Sequence, residues 1–298
     1  MIGLFDSGDG GLSVLREVHK LLPDEKYVFY GDNANCPYGE KTPEFIQDRA
    51  REITEFLIKQ GAQIIVVACN TATAAAINTL RTEYSDISNP AVKEKVLRLS
   101  NDSRDHIQFI GMEPAVKPAA IGTKTGVIGV LATAGTLKGS KYLTTKEKFE
   151  DDVKIVEHVG QGWVELVEEG ILTGPKAEAT VKASIQPLLD EGADTLVLGC
   201  THYPFLMDTI KKVAGPSIQV IDPAPSVARH LIYVMAQEHL LNEQVATQAL
   251  ARLIAESEAE ARGDTHSMSD SDSVPDIKLY SSSDGESLNR IFKTIYPK

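Results

Sequence analysis

Positive charge, cysteine and long apolar runs are all scarce in this 298-residue chain, and each scarcity excludes a class of function. Lys and Arg total 30 against 42 Asp and Glu, a formal charge of −12. Neither a nucleic-acid footprint nor a polybasic membrane patch is expected from that balance. The three cysteines, Cys36, Cys69 and Cys200, form no even-numbered disulfide framework and no CxxC pair, so free thiols are expected. No segment approaches the roughly 18 apolar residues of a membrane helix. The start, MIGLFDSGDGG, has no basic segment leading into a long apolar one, and a cytoplasmic protein without a membrane partner is expected.

Nucleotide and cofactor signatures are also missing. FDSGDGG (5–11) has the glycines of a tight turn, but GxGxxG fails at Ser13 and no GK[ST] triplet exists. No lysine-centred pattern with a phosphate cup suggests pyridoxal phosphate. No cofactor is expected.

Short apolar runs of strand length alternate with longer amphipathic stretches over a chain that is 42% hydrophobic. The pattern predicts an α/β fold with mostly parallel sheets. Strands are expected at 2–5, 26–30, 63–68, 107–112, 126–131, 153–158, 194–199, 218–221 and 277–280. IIVVACNTATA (64–74) and TLVLGCTHYPF (195–205) both read as strand, small residue, cysteine, polar cap and helix. Each follows a glycine-containing strand ending in small polar residues, IGLFDSG (2–8) and GVIGVLATAG (126–135). This echo predicts two similar lobes with a cleft between them. One lobe is expected from residues 1–113 plus 216–298, the other from 114–215. Thr82–His106 and the acidic, serine-rich stretch Glu256–Asp276 read as solvent-facing loops.

Both Cys69 and Cys200 are expected at carboxyl ends of parallel strands, where such folds gather ligands. Asn70 with Thr71, and Thr201 with His202, follow them as cap-competent residues. A helix start there would bind a carboxylate and pull the thiol pKa down from about 8.5. Zinc on Cys69, Cys200 and His202 lacks a fourth ligand and fits known patterns poorly, so no metal is expected. Two thiols across a cleft suit acid/base work on opposite faces of one carbon, because a lone base tends to return its proton to the face it left. Asp6 and Ser7 are expected to project into the same cleft.

FDSGDGGL (5–12), PYG (37–39), ACNTATA (68–74) and LGCTHYP (198–204), in that order, resemble the glutamate racemases, cofactor-independent members of the aspartate/glutamate racemase superfamily. YSSSDGESLNRIF (280–292) is similar to that family's closing strand and helix. The resemblance implies interconversion of L- and D-glutamate by a homodimer that supplies D-glutamate for peptidoglycan. It implies Cys69 as the thiol working on D-glutamate and Cys200 as the one working on L-glutamate, with Asp6, His202 and Glu168 assisting. It also implies substrate contacts from Asp6, Ser7, Tyr38, Gly39, Asn70, Thr71, Thr133, Thr136, Thr201 and His202. One departure stands out: DNANCPYG (32–39) lacks the arginine common just before that family's PYG, leaving Cys36 as a bystander thiol near the cleft mouth.

Other readings remain at this level. An aspartate racemase differs by one methylene of pocket depth, worth about 1–3 kcal/mol. A decarboxylase of the same superfamily would show one thiol of the two. A two-lobed amino-acid-binding protein would need neither.

Overall fold

The computed structural model describes residues 1–262 and 274–297. Its strands are β1 (Ile2–Asp6), β2 (Lys26–Gly31), β3 (Ile64–Val67), β4 (Gln108–Ile110), β5 (Val127–Ala132), β6 (Lys154–Val159), β7 (Thr195–Gly199), β8 (Gln219–Ile221) and β9 (Asp276–Ser281). One sheet has the order β4-β3-β1-β2-β9 and the other β6-β5-β7-β8. Every neighbouring pair is parallel. The α/β class and the two sheets flanked by helices are as expected.

The central strands are mostly apolar. β1, β3 and β7 are buried at every residue, the condition of strands covered by helices on both faces. β6 lies at a sheet edge, reads KIVEHV and is only partly buried, which suits a strand with one side open to water.

The two sheets repeat one plan. Strand order β4-β3-β1-β2 in the first corresponds to β8-β7-β5-β6 in the second. Phe5 of β1 pairs with Val67 of β3, and Ala132 of β5 pairs with Gly199 of β7. The sequence echo therefore lies on structurally equivalent strands. The correspondence also moves one expected boundary. β8 pairs with β7 from Thr195–Gln219 to Val197–Ile221, so the second sheet continues past the expected return at residue 216.

Part of the expected loop at 82–106 is helical. The helix Asn70–Tyr84 extends into it, and a helix Pro90–Leu99 follows, capped by Asn89, whose side chain accepts from the Ala91 N–H at 3.1 Å. Val92, Val96 and Leu99 form its buried stripe at helical spacing. The expected loop 256–276 is helical at its start, because the helix Glu243–Arg262 covers it, and Asp276 opens β9. Residues 263–273 of that expectation lie outside the described residues.

Both lobes contribute to one hydrophobic cluster, in which Leu12 and Leu15 join Leu198, Tyr203 and Leu206. Polar ties cross the same seam: Ser13 Oγ donates to the Thr201 carbonyl at 3.0 Å. Glycines let the backbone close in. A Cβ on Gly10 would lie 2.6 Å from Thr201 Oγ1 and would also strike the His202 ring. The expected turn is present, with the Leu12 N–H donating to the Asp9 carbonyl at 3.1 Å, and because Gly8, Gly10 and Gly11 have no positive φ it is close approach that calls for glycine there.

Candidate active site

The strand β3 delivers Cys69 directly to a helix start. Cys69 is extended (φ −148°, ψ 120°) and caps the helix Asn70–Tyr84, its sulfur accepting from the Ala72 N–H at 3.4 Å. The helix begins at once after Cys69, so Asn70 and Thr71 lie in its first turn, where free N–H groups favour an anion. Asn70 is buried, yet among the described residues neither oxygen nor nitrogen of its amide has a partner. Leaving a buried polar group unpaired costs about 1–3 kcal/mol, which marks this amide as waiting for a ligand.

The helix start does not lower the Cys69 pKa as expected. Burial pushes the thiol well above its ordinary value, and the Asp6 charge adds to this against the single favourable contact from the Ala72 N–H. Asp6 ends β1 in full burial. It accepts from the Gly11 N–H at 2.7 Å and from Thr201 Oγ1 at 3.2 Å. Ser7 Oγ lies 3.4 Å from Asp6 Oδ1 and 3.8 Å from Cys69 Sγ. Burial raises the Asp6 carboxyl, with the His202 charge pulling the other way.

Cys200 stands at the equivalent end of β7, but its surroundings differ. No α-helix starts at once; a 3-10 turn over Tyr203–Leu206 intervenes before the helix Met207–Ala214. The expected anion-binding helix start therefore exists at Cys69 alone. In its place Cys200 has His202, whose Nδ1 is 3.8 Å from the sulfur. The opposite ring nitrogen, Nε2, is 2.6 Å from Glu168 Oε1. Burial opposes charge on His202, but Cys200, Cys36 and Glu168 outweigh it and raise the imidazole well above its ordinary value. Burial likewise opposes charge on Glu168, yet His202 and Asp9 bring its carboxyl down to about 2.

Both thiols line one cavity. Ser7, Tyr38, Gly39, Asn70, Thr71, Thr133, Thr201 and His202 share its wall with Cys69 and Cys200. The predicted residues Asp6, Glu168 and Thr136 stand behind that wall. Thr136 Oγ1 is 3.3 Å from Thr71 Oγ1 and 3.0 Å from Thr133 Oγ1. Tyr38 lines the cavity, but its hydroxyl donates to Asp32 at 2.6 Å and is turned to that partner. Pro37 and Val164 also line the cavity; neither carries a polar side chain that would single it out in the sequence. The cavity measures about 10 Å³, room for about one water rather than an amino acid.

Two acidic residues behind the site were not legible in the sequence. Asp9 is fully buried, gives its backbone N–H to Glu168 Oε1 at 3.1 Å and accepts from Asn33 Nδ2 at 2.7 Å. Burial, then the Glu168 charge, push its carboxyl up to about 7. Asp32 receives Arg49 at 2.8 Å as well as Tyr38. Cys36, expected as a bystander near the cleft mouth, brings its sulfur to 4.0 Å from Glu168 Oε1.

Known proteins resemble this chain in sequence and in fold. A glutamate racemase of Stutzerimonas stutzeri is 43% identical over 247 residues, covering 83% of this chain and 86% of that protein. The chain belongs to the glutamate racemase family. A sequence model of the Asp/Glu/Hydantoin racemase family matches residues 103–231. Among solved structures, a glutamate racemase of Bacillus anthracis superposes with a TM-score of 0.74 at 28% identity, covering 99% of this chain and 92% of that one. The Escherichia coli glutamate racemase, crystallised with L-glutamate and the activator UDP-MurNAc-ala, is 33% identical with a TM-score of 0.64, covering 79% of this chain and 82% of that one. Membership in this family makes the protein an amino-acid racemase, an isomerase, acting on glutamate.

Proposed function

We propose that Cys69 and Cys200 interconvert L- and D-glutamate by moving protons at opposite faces of Cα, without a cofactor. The presence of both sulfurs in the lining of one cavity supports this most directly. One thiolate removes the Cα proton while the facing thiol delivers another, so the bond broken on one face is remade on the other and the number of protons on the two sulfurs is conserved. Asp6 is linked to the Cys69 thiol through Ser7, whose Oγ is 3.4 Å from Asp6 Oδ1 and 3.8 Å from Cys69 Sγ, and, with its raised pKa, serves as that thiol's proton partner. His202, held cationic by Glu168, faces the charge that appears on Cys200.

Asn70, Thr71 and the helix-start N–H groups receive a substrate carboxylate and stabilise the charge that spreads into it as Cα loses its proton. Ser7, Thr133 and Thr201 complete the contacts, with Tyr38 and Gly39 shaping the wall and Thr136 supporting Thr71. The lobes part to admit substrate, since the cavity is too small for it as it stands, and reclosure excludes water. We assign 1–113 plus the segment after β8 to one lobe and the intervening residues to the other.

No helix of the described residues is long and apolar enough to cross a membrane. We take the protein to act on free glutamate as a cytoplasmic homodimer, with its D-glutamate entering peptidoglycan. Incubation of the pure protein with L-glutamate, and separately with L-aspartate, tests the activity. Loss of optical rotation with glutamate alone is expected; loss with aspartate alone would reassign the substrate, and no loss with either would refute the proposal.

A further inference from the structure

The Glu168–His202 contact has a third neighbour that proton transfer does not use. Cys36 Sγ, Glu168 Oε1 and a ring nitrogen of His202 all lie within 4.8 Å of one another. Thiolate, carboxylate and imidazole are the donor types that hold zinc, at bond lengths of about 2.0–2.3 Å. Gly8 keeps the space in front of them open. A Cβ on Gly8 would stand 2.6 Å from Glu168 Oε1, 2.9 Å from Cys36 Sγ and 3.4 Å from His202 Nε2. Three donors of different chemistry thus converge on one point that only a glycine leaves clear. Asp9 borders the same place: its carboxyl lies against Glu168, and no donor among the described residues reaches its buried Oδ2.

We propose that Cys36, Glu168 and His202 form a site for a thiophilic divalent cation of the zinc type, and that its occupation inhibits the enzyme. The set differs from the Cys69, Cys200 and His202 combination weighed from the sequence. Binding forms a metal–sulfur bond to Cys36, a metal–nitrogen bond to His202 Nε2 and a metal–oxygen bond to Glu168, with water in the fourth position. Cys36 Sγ and His202 Nε2 each release a proton to solvent. The hydrogen bond between His202 and Glu168 is broken in exchange, and Cys200 loses the imidazolium that faces it.

Cobalt(II) serves as the spectroscopic probe and zinc(II) as the inhibitor, both with the full chain. Cobalt is expected to give a thiolate-to-metal charge-transfer band that persists in the Cys69→Ala/Cys200→Ala double variant and disappears in Cys36→Ala. Cys36→Ser provides the same comparison with a closer match in size. Zinc is expected to inhibit the unsubstituted enzyme reversibly, chelator restoring activity, and Cys36→Ala should need roughly tenfold more zinc or beyond for equal inhibition. A band that survives loss of Cys36, one that vanishes from the double variant, or no band at all would overturn the proposal. The absorption measurement does not depend on racemisation, so its failure is distinct from failure of the proposed function.

Discussion

Cys69 and Cys200 occupy equivalent strands of two repeated sheets, yet each meets a different proton partner. Cys69 caps an α-helix and has a raised carboxyl, Asp6, beside it. Cys200 precedes a 3-10 turn and has a cationic imidazole, His202, anchored by Glu168. A duplicated fold has supplied the two faces, and divergent loops have supplied opposite charges to them. The comparison teaches that the strand ends place the sulfurs while the loops decide how each handles its proton.

Removing either sulfur should break the comparison outright. Cys69→Ala and Cys200→Ala are each expected to lose net racemisation by about a thousandfold or more, within the range lost with a positioned acid or base, as followed by circular dichroism of glutamate. Survival of either variant would take that thiol out of the scheme. Replacing the partners should sharpen the contrast. Asp6→Asn and His202→Asn are each expected to lower kcat/KM about 10²-fold. Since the two enantiomers are equal in energy, kcat/KM must fall alike in both directions. The asymmetry should appear instead in the primary isotope effect, which Asp6→Asn raises more for D-glutamate and His202→Asn raises more for L-glutamate.

The helix start that only Cys69 has offers a further test. Asn70→Ala removes a buried amide that has no partner, so the free protein should hold its stability or gain up to about 1 kcal/mol while KM rises. A stability loss above about 2 kcal/mol would show that the amide is satisfied within the fold. At the seam, Gly10→Ala forces a methyl against Thr201 and His202 and is expected to cost about 1–3 kcal/mol in denaturant unfolding.

The smallest effect concerns the strand entrances. Gln63 precedes β3 and accepts from the Met1 amino group at 3.3 Å. At the matching place before β7, Asp194 accepts from Thr123 Oγ1 at 2.6 Å and from the Lys124 and Thr125 N–H groups. Burial opposes its charge, but these donors hold the Asp194 carboxyl at about 2. A lowered folded pKa means stabilisation present above the unfolded value of about 3.9 and lost as pH falls from there toward about 2. Asp194→Asn should cost about 1 kcal/mol at neutral pH, with the deficit fading across that acid window.

Strand positions were legible because buried parallel strands carry unbroken apolar runs, as in Ile64–Val67 and the Leu196–Leu198 stretch of β7. The helix Pro90–Leu99 was not, since its three buried positions are separated by lysines, a glutamate and an arginine, although Asn89 and Pro90 carried its start signal. Both thiols, Asp6 and His202 were legible from motif and strand end. The direction of the Cys69 shift was not, because it depends on burial and on Asp6 arriving from another strand. Asp9 and Cys36 were hidden for the same reason: their partner, Glu168, is supplied by the other lobe.

The most direct test of two sulfurs acting on opposite faces is racemisation of L-glutamate in deuterated water, stopped at low conversion. The account predicts D-glutamate carrying solvent deuterium at Cα while the remaining L-glutamate keeps its hydrogen. Deuterium entering the recovered L-glutamate as fast as it enters the product would mean that one base serves both faces, and would contradict the account.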